Sequence, residues 1–150
     1  MKKVNRNSRQ VPTTKHQPGP PSIRKSHDPE AFARLTPSWA VARIDRISEW
    51  GWDNISVDIL WAEIHSKLRD FESMTWAEIM AKGSHNIEKY KLIPRAQNRL
   101  SELRLDDLGE LFSLRLTGKK RIWGILNNGI LRIIWYDPQH QIYPSQKKHT

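Results

Sequence analysis

The dipeptide Asn128-Gly129 is the feature that most limits how this chain can fold. It lies between two runs of alternating side-chain character, and Asn-Gly in that setting is the strongest short-range signal for a two-residue β-hairpin. A type I′ turn at these residues fixes the register, because every cross-strand pair follows by counting outward from the turn. The sequence therefore predicts a hairpin in which Asn127 lies opposite Ile130.

This register gives the hairpin one face that is almost entirely apolar. Counting outward on that face predicts the cross-strand pairs Leu126 with Leu131, Gly124 with Ile133, and Ile122 with Trp135. The other face is predicted to pair Arg121 with Tyr136, Trp123 with Ile134, and Ile125 with Arg132. We expect the first face to be core and the second to carry function.

A third strand is predicted immediately before the hairpin, over residues 111–116, with an odd-length connection around Gly118. In the favoured register Arg115 lies across from Trp123, where a cation-π contact with that ring is the alternative to a functional role. The predicted outer surface of the three-stranded meander consists of Arg115, Arg121, Trp123, Arg132 and Tyr136.

The preceding residues predict one strand followed by about three helices. Residues 39–44 alternate as a strand does, and a period of three to four residues then predicts a helix from Val57 to Phe71, with Asn54 or Ser56 as its N-cap. Thr75-Trp-Ala-Glu78 is a capping box for a second helix, and Pro94 suits the first turn of a third. Trp39, Trp61 and Trp76 fall on apolar faces and are predicted to be core. The fold class is therefore α+β, with a small antiparallel sheet packed against the helices.

Charge divides the chain into a basic arm and a domain. The net charge is +9, and residues 1–27 contain Lys and Arg but no acidic residue until Asp28. That arm is predicted to be disordered, because it has almost no large apolar residue to bury, and residues 28–150 are predicted to form one domain. A basic arm favours a polyanionic partner, although a role in solubility is an equal alternative.

Several classes of protein are disfavoured by composition. The absence of Cys excludes disulfides, thiolate zinc sites and a Cys nucleophile. No apolar run reaches the length needed to cross a bilayer, so we expect no membrane partner. The absence of Cys is compatible with a reducing compartment, and we expect a cytoplasmic protein. We expect no cofactor and no metal, since Asp137, His140 and His149, the nearest candidates, have no recognised ligand spacing.

Three segments in the C-terminal part together resemble the RelE/ParE superfamily of toxin-antitoxin toxins. They are a Gly-Lys-x-Arg-x-Trp strand at Gly118 to Trp123, the strand Gly129-Ile-Leu-Arg132-Ile133 after the hairpin, and His140-Gln-Ile-Tyr143. The likeness covers about a third of the chain. It implies a RelE-like fold with the helices inserted after the first strand.

The resemblance implies a metal-independent endoribonuclease that cleaves ribosome-bound mRNA and is paired with a cognate antitoxin protein. The implied catalytic residues are Arg121 and Arg132, as cations for the transition state, and His140 and Tyr143, as proton-transfer groups. The implied RNA contacts are Arg115, Lys119, Lys120, Trp123, Tyr136, Lys147 and Lys148. For Arg121, Arg132 and His140, an ordinary solvated surface is the alternative.

Two other functions are compatible with the same residues. One is a non-catalytic RNA-binding or ribosome-binding protein that uses the Arg and aromatic face. The other is an inhibitor of DNA gyrase, as in other members of the same superfamily, with the sheet as scaffold and the helices in contact with the target.

Overall fold

A computed structural model describes residues 31–144 of the chain. The predicted arm, residues 1–27, therefore lies wholly outside the described residues. In chain order the elements are β1 (Ser38–Ala40), a 3-10 turn (Trp52–Asn54), α1 (Val57–Ile59), a π-helical segment (Leu60–His65), α2 (Ser66–Phe71), α3 (Trp76–Ala81), β2 (His85–Glu88), a second 3-10 turn (Lys89–Lys91), α4 (Pro94–Glu102), β3 (Glu110–Arg115), β4 (Arg121–Asn127) and β5 (Ile130–Asp137).

Over residues 31–144 the strands form a single five-stranded sheet in the order β1-β5-β4-β3-β2. The α+β class is confirmed, with two corrections to the sheet. β1 is shorter than residues 39–44 and pairs with β5 in parallel, so the sheet is mixed rather than antiparallel. β2, which the sequence did not predict, forms the opposite edge beside β3.

The helices begin at the positions that local sequence signals predicted. The Ser56 hydroxyl accepts from the Ile59 N–H at 3.2 Å, and α1, the π-helical segment and α2 follow without a break. Thr75 and Glu78 form the predicted capping box, which starts α3. Pro94 occupies the first turn of α4.

The hairpin turn is confirmed at its predicted residues. Asn128 and Gly129 have φ of 52° and 81°, as a type I′ turn requires, and the four pairs from Asn127/Ile130 to Gly124/Ile133 have the predicted register. The Trp76 indole N–H donates to the Gly129 carbonyl at 2.9 Å, which ties α3 to the turn. The hairpin is therefore held by both local geometry and tertiary contact.

Beyond Gly124 the predicted register is wrong, because a β-bulge lies between Trp123 and Gly124. Trp123 pairs with Trp135 and Ile122 with Tyr136, which leaves Ile134 as the extra residue of β5. A side chain added to Gly124 would lie 2.2 Å from the Arg132 carbonyl oxygen, so only Gly fits this close approach. The bulge exchanges Trp135 and Tyr136 between the two faces of the sheet.

The bulge is stabilised from outside the hairpin. The Asp45 N–H donates to the Ile134 carbonyl at 3.0 Å, and the Tyr136 N–H donates to the Trp50 carbonyl at 3.1 Å. The loop after β1 thus satisfies backbone groups that the irregular ladder leaves open. These partners lie far away in sequence, and counting from the turn cannot include them.

Both faces of the sheet are covered, which corrects the prediction of one open outer face. The α4 core contains Trp50, Ile87, Leu92, Ala96, Leu100, Leu105, Leu111, Trp123, Ile134, Trp135 and Ile142. The α2-α3 core, on the other face, contains Ile64, Phe71, Trp76, Ile79, Phe112, Leu114, Leu116, Ile122, Leu131, Ile133 and Tyr136. Trp76 is core as predicted and Trp39 packs at its margin, whereas the prediction for Trp61 is wrong, since its side chain is 59% exposed.

Replacing Gly129 by Val is expected to destabilise the fold by at least about 1 kcal/mol. The new side chain would occupy a left-handed backbone conformation, and its Cβ would lie 3.1 Å from the Leu35 side chain. Thermal melting should show this loss, whereas Gly109→Val, where an added Cβ meets no atom within 4 Å, should cost much less. Equal losses in the two variants would contradict the assignment of strain to the turn.

Candidate functional site

Three charged residues form a row across one end of the sheet. Arg115 at the end of β3 pairs with Arg121 at the start of β4, and Arg121 pairs with Asp137 at the end of β5. The adjacent residue in the strand belongs in each case to the α2-α3 core. Because successive side chains of a strand point to opposite faces, all three charged side chains lie on the other face of the sheet, away from that core. This register differs by two residues from the predicted pairing of Arg115 with Trp123, and a shift of two leaves the face unchanged.

The two arginines are held by the segments beside them. Arg121 Nη1 donates to the carbonyl oxygens of Gly118 at 2.7 Å and Lys120 at 3.1 Å, so the turn between β3 and β4 fixes its guanidinium. The Arg115 N–H donates to the buried hydroxyl of Ser84 at 2.9 Å. The Arg115 side chain passes Gly83, where an added Cβ would lie 3.4 Å from Nη1.

Asp137 organises the segment that follows β5. It is fully buried, and its carboxylate accepts the N–H groups of Gln141 at 2.9 Å and Ile142 at 3.0 Å. The Ile142 carbonyl in turn accepts the Ile93 N–H at 3.0 Å, which attaches this segment to the start of α4. His140 lies inside the closed loop with a φ of 56°.

The electrostatics join His140 to the row. Burial lowers the pKa of His140 below its ordinary value, the charges of Arg121 and Arg115 lower it further, and Asp137 opposes them. Burial and the neighbouring Arg115 also lower the pKa of Arg121, again against Asp137. Because two guanidinium groups face one carboxylate, the cluster is cationic and can bind an anion, while its imidazole is neutral at pH 7.

The structure thus brings together three of the predicted residues, Arg115, Arg121 and His140. Lys119 is exposed on the adjacent turn. The Lys120 side chain makes an ion pair with Glu63, whose hydrogen bond raises the pKa of the ammonium group. Since Glu63 belongs to the helical layer over the α2-α3 core, Lys120 faces away from the row.

Other predicted residues lie elsewhere. Trp123 is fully buried in the α4 core and Tyr136 is buried in the α2-α3 core, so neither is on an outer surface where a base could stack. Arg132 is exposed but pairs with Ile125 and Ala40, about 16 Å along β5 from Asp137 at roughly 3.3 Å per residue. Tyr143 packs against the α4 core. Lys147 and Lys148 lie outside the described residues.

Sequence reasoning missed the role of Asp137, which it considered only as a weak metal candidate. An Asp followed by Pro at the end of a strand is typical of a turn whose side chain accepts backbone N–H groups, and that signal could have indicated the anchor. Among residues 31–144, no group of three or more His, Asp or Glu side chains is arranged to hold a metal ion. Over the same residues, no helix has the length and apolar character to span a membrane.

Comparisons of the chain with protein-family models, with curated proteins and with solved structures gave no match.

Proposed function

We propose that this protein is an endoribonuclease whose site is the cluster of Arg115, Arg121, Asp137 and His140. The observation that carries the proposal is that two register-paired guanidinium groups and a partly buried imidazole meet at one end of the sheet. A guanidinium fork matches two oxygens of a phosphodiester, and adjacent forks on one face suit a group that gains negative charge during reaction.

In the proposed reaction the neutral imidazole of His140 removes the proton from a ribose 2′-hydroxyl. The 2′-oxygen then forms a bond to the adjacent phosphorus, and the bond from phosphorus to the 5′-oxygen breaks. Tyr143 or a water molecule supplies the proton to that leaving oxygen. Arg115 and Arg121 stabilise the charge on the non-bridging oxygens, and the products are a 2′,3′-cyclic phosphate and a 5′-hydroxyl.

The resemblance to RelE-like toxins extends the proposal to mRNA on the ribosome and to a cognate antitoxin as partner. Expression of the intact chain should then arrest bacterial growth and cut mRNA, and co-expression of an antitoxin encoded in the neighbouring reading frame should relieve the arrest. Arrest with intact mRNA and blocked DNA supercoiling would instead support the gyrase-inhibitor function.

A non-catalytic RNA-binding protein is the second candidate. It is favoured by the position of Arg132, remote from the cluster, and by the apolar packing of Tyr143. These leave His140 as the clearest proton-transfer group at the row. Purified protein separates the two functions, since salt-dependent RNA binding without cleavage products would support the binder.

The cleavage rate should fall in acid with a midpoint below pH 6.5, because protonated His140 cannot act as a base and its pKa is lowered. Arg115→Gln removes one of the charges that disfavour the imidazolium, so the His140 pKa should rise and the acid limb should move to higher pH. Arg132→Gln is the matched control and should leave the limb in place. A pH profile of kcat/KM that is identical in all three proteins would contradict the role of His140.

A further inference from the structure

A groove of about 320 Å³ lies on the face of the sheet opposite the charged row. The apolar part of its wall comes from Ile55, Ile59 and Pro138, and the polar part includes Glu63, Lys120 and Tyr136. Concave sites with apolar walls and a few polar groups are typical of ligand-binding pockets. The groove is lined by none of the four clustered residues Arg115, Arg121, Asp137 and His140.

The polar wall offers hydrogen-bond donors beside acceptors. The ion pair between Lys120 and Glu63 leaves further N–H groups on the ammonium and a second oxygen on the carboxylate. Burial raises the pKa of Tyr136, so its hydroxyl is protonated at neutral pH. Such a combination suits a flat ligand with donors and acceptors along one edge and apolar faces.

The groove and the row lie back to back at the same end of the sheet. Lys120 directly precedes Arg121, and Tyr136 directly precedes Asp137; neighbouring side chains at a strand point to opposite faces. Pro138 belongs to the groove, while His140, two residues later, interacts electrostatically with the row. Only the end of β5 and the loop after it separate the two features.

We propose that the groove is a nucleobase-binding subsite for a nucleotide next to the phosphate held by Arg115 and Arg121. The inference rests on the proposed function. A single-stranded RNA that crosses the end of β5 presents its phosphate to the row and turns its base into the groove. Single-stranded RNA is commonly recognised through unstacked bases that are packed against side chains and hydrogen-bonded along their edges. Trp123 is buried in the α4 core and cannot contact a base. The groove therefore supplies the apolar surface for the base that the face with the charged row lacks.

The test is an RNA oligonucleotide series in which each base in turn is replaced by an abasic ribose. With the full-length protein, one position should weaken binding by about 10-fold or more, as loss of buried apolar surface and of an edge hydrogen bond does. Ile59→Trp fills the groove and should weaken binding of the intact RNA and abolish this position dependence. Ile47→Trp is the matched control, because Ile47 is 79% exposed and lies outside the groove, and it should behave as the unmodified protein.

Glu63→Gln provides a second variant if Ile59→Trp does not fold, since it keeps the shape of the wall and removes its charge. It should reduce the effect of the sensitive abasic position. The inference is overturned if no abasic position weakens binding. It is also overturned if the abasic position causes the same loss of binding in the groove variants as in the unmodified protein, while Arg115→Ala and Arg121→Ala still weaken binding. Failure of the protein to bind any RNA would overturn both this inference and the proposed function.

Discussion

Arg121→Ala is expected to reduce single-turnover RNA cleavage by roughly 100- to 1,000-fold, as removal of one preorganised charge-stabilising donor does in other enzymes. Arg121 lies at the centre of the row, between Arg115 and Asp137, and the carbonyl groups of Gly118 and Lys120 fix its guanidinium. Its aliphatic part contributes little to either core, so thermal melting should change only slightly. His140→Ala should slow cleavage by about 100-fold if the imidazole transfers a proton.

Arg132→Ala is the control for this result, because Arg132 is an exposed Arg of the same sheet that lies at the far end of β5. Its cleavage rate and its ability to arrest growth should match those of the unmodified chain. Equal loss in the Arg121 and Arg132 variants would mean that overall charge, rather than the row, supports the activity. Unchanged cleavage in both would remove Arg121 from the mechanism.

Asp45→Ala should lower the free energy of unfolding by about 2–4 kcal/mol, because the buried Trp135 N–H loses its acceptor while Arg99 keeps only its pair with Glu102. The Asp45 carboxylate is almost fully buried and accepts from Arg99 Nε at 2.9 Å, Arg99 Nη2 at 2.8 Å and Trp135 Nε1 at 2.8 Å. The Asp45 carboxylate therefore connects its own loop, which follows β1, to α4 through Arg99 and to β5 through Trp135. Urea denaturation would measure the loss.

Asp53→Ala is the matched control, because the Arg46–Asp53 pair has side chains 73% and 48% exposed and such pairs contribute about 1 kcal/mol or less. Comparable losses in the two variants would show that the buried network adds nothing beyond a surface pair.

The hydrogen-bond network of Asp45 should also make the free energy of unfolding depend on pH. Burial by itself would raise the Asp45 pKa, but the lowering contributions, among them the hydrogen bonds from Arg99 and Trp135 and the charge of Arg99, together hold it well below its ordinary value. A depressed folded-state pKa stabilises the protein above the unfolded value near 4, and that stabilisation is lost as the pH falls further. Unfolding free energy measured from pH 5 downward should therefore fall less steeply in Asp45→Ala.

How much of the fold could be predicted from the sequence depended on how far apart in sequence the interacting residues lie. The Asn128-Gly129 turn, the Ser56 cap and the Thr75 capping box were predictable because their partners lie within a few residues. The bulge was not, since the Asp45 and Trp50 backbone groups that accompany it come from a distant loop. It exchanged Trp135 and Tyr136 and so removed the predicted stacking surface.

The charged cluster was partly predictable. Arg115 and Arg121 were placed on one face by alternation, which a register error of two residues does not alter. Arg132 lies on the same face by the same alternation, but alternation does not indicate how far along the strand a residue lies from the cluster. The groove could not be predicted, because Glu63 and Tyr136 come from segments that meet only through tertiary packing.

The parallel pairing of β1 with β5 also governs when this protein can fold. Ser38 pairs with Ile130, about ninety residues later, so β1 has no partner in the sheet until β5 has been synthesised. Contacts of such long sequence separation slow folding, because a large loop must close before they form. A growing chain therefore exposes the apolar residues of both cores, and Arg121, Asp137 and His140 come together only after translation has passed them. A ribosome that has not yet translated β5 therefore carries no assembled cluster of these residues.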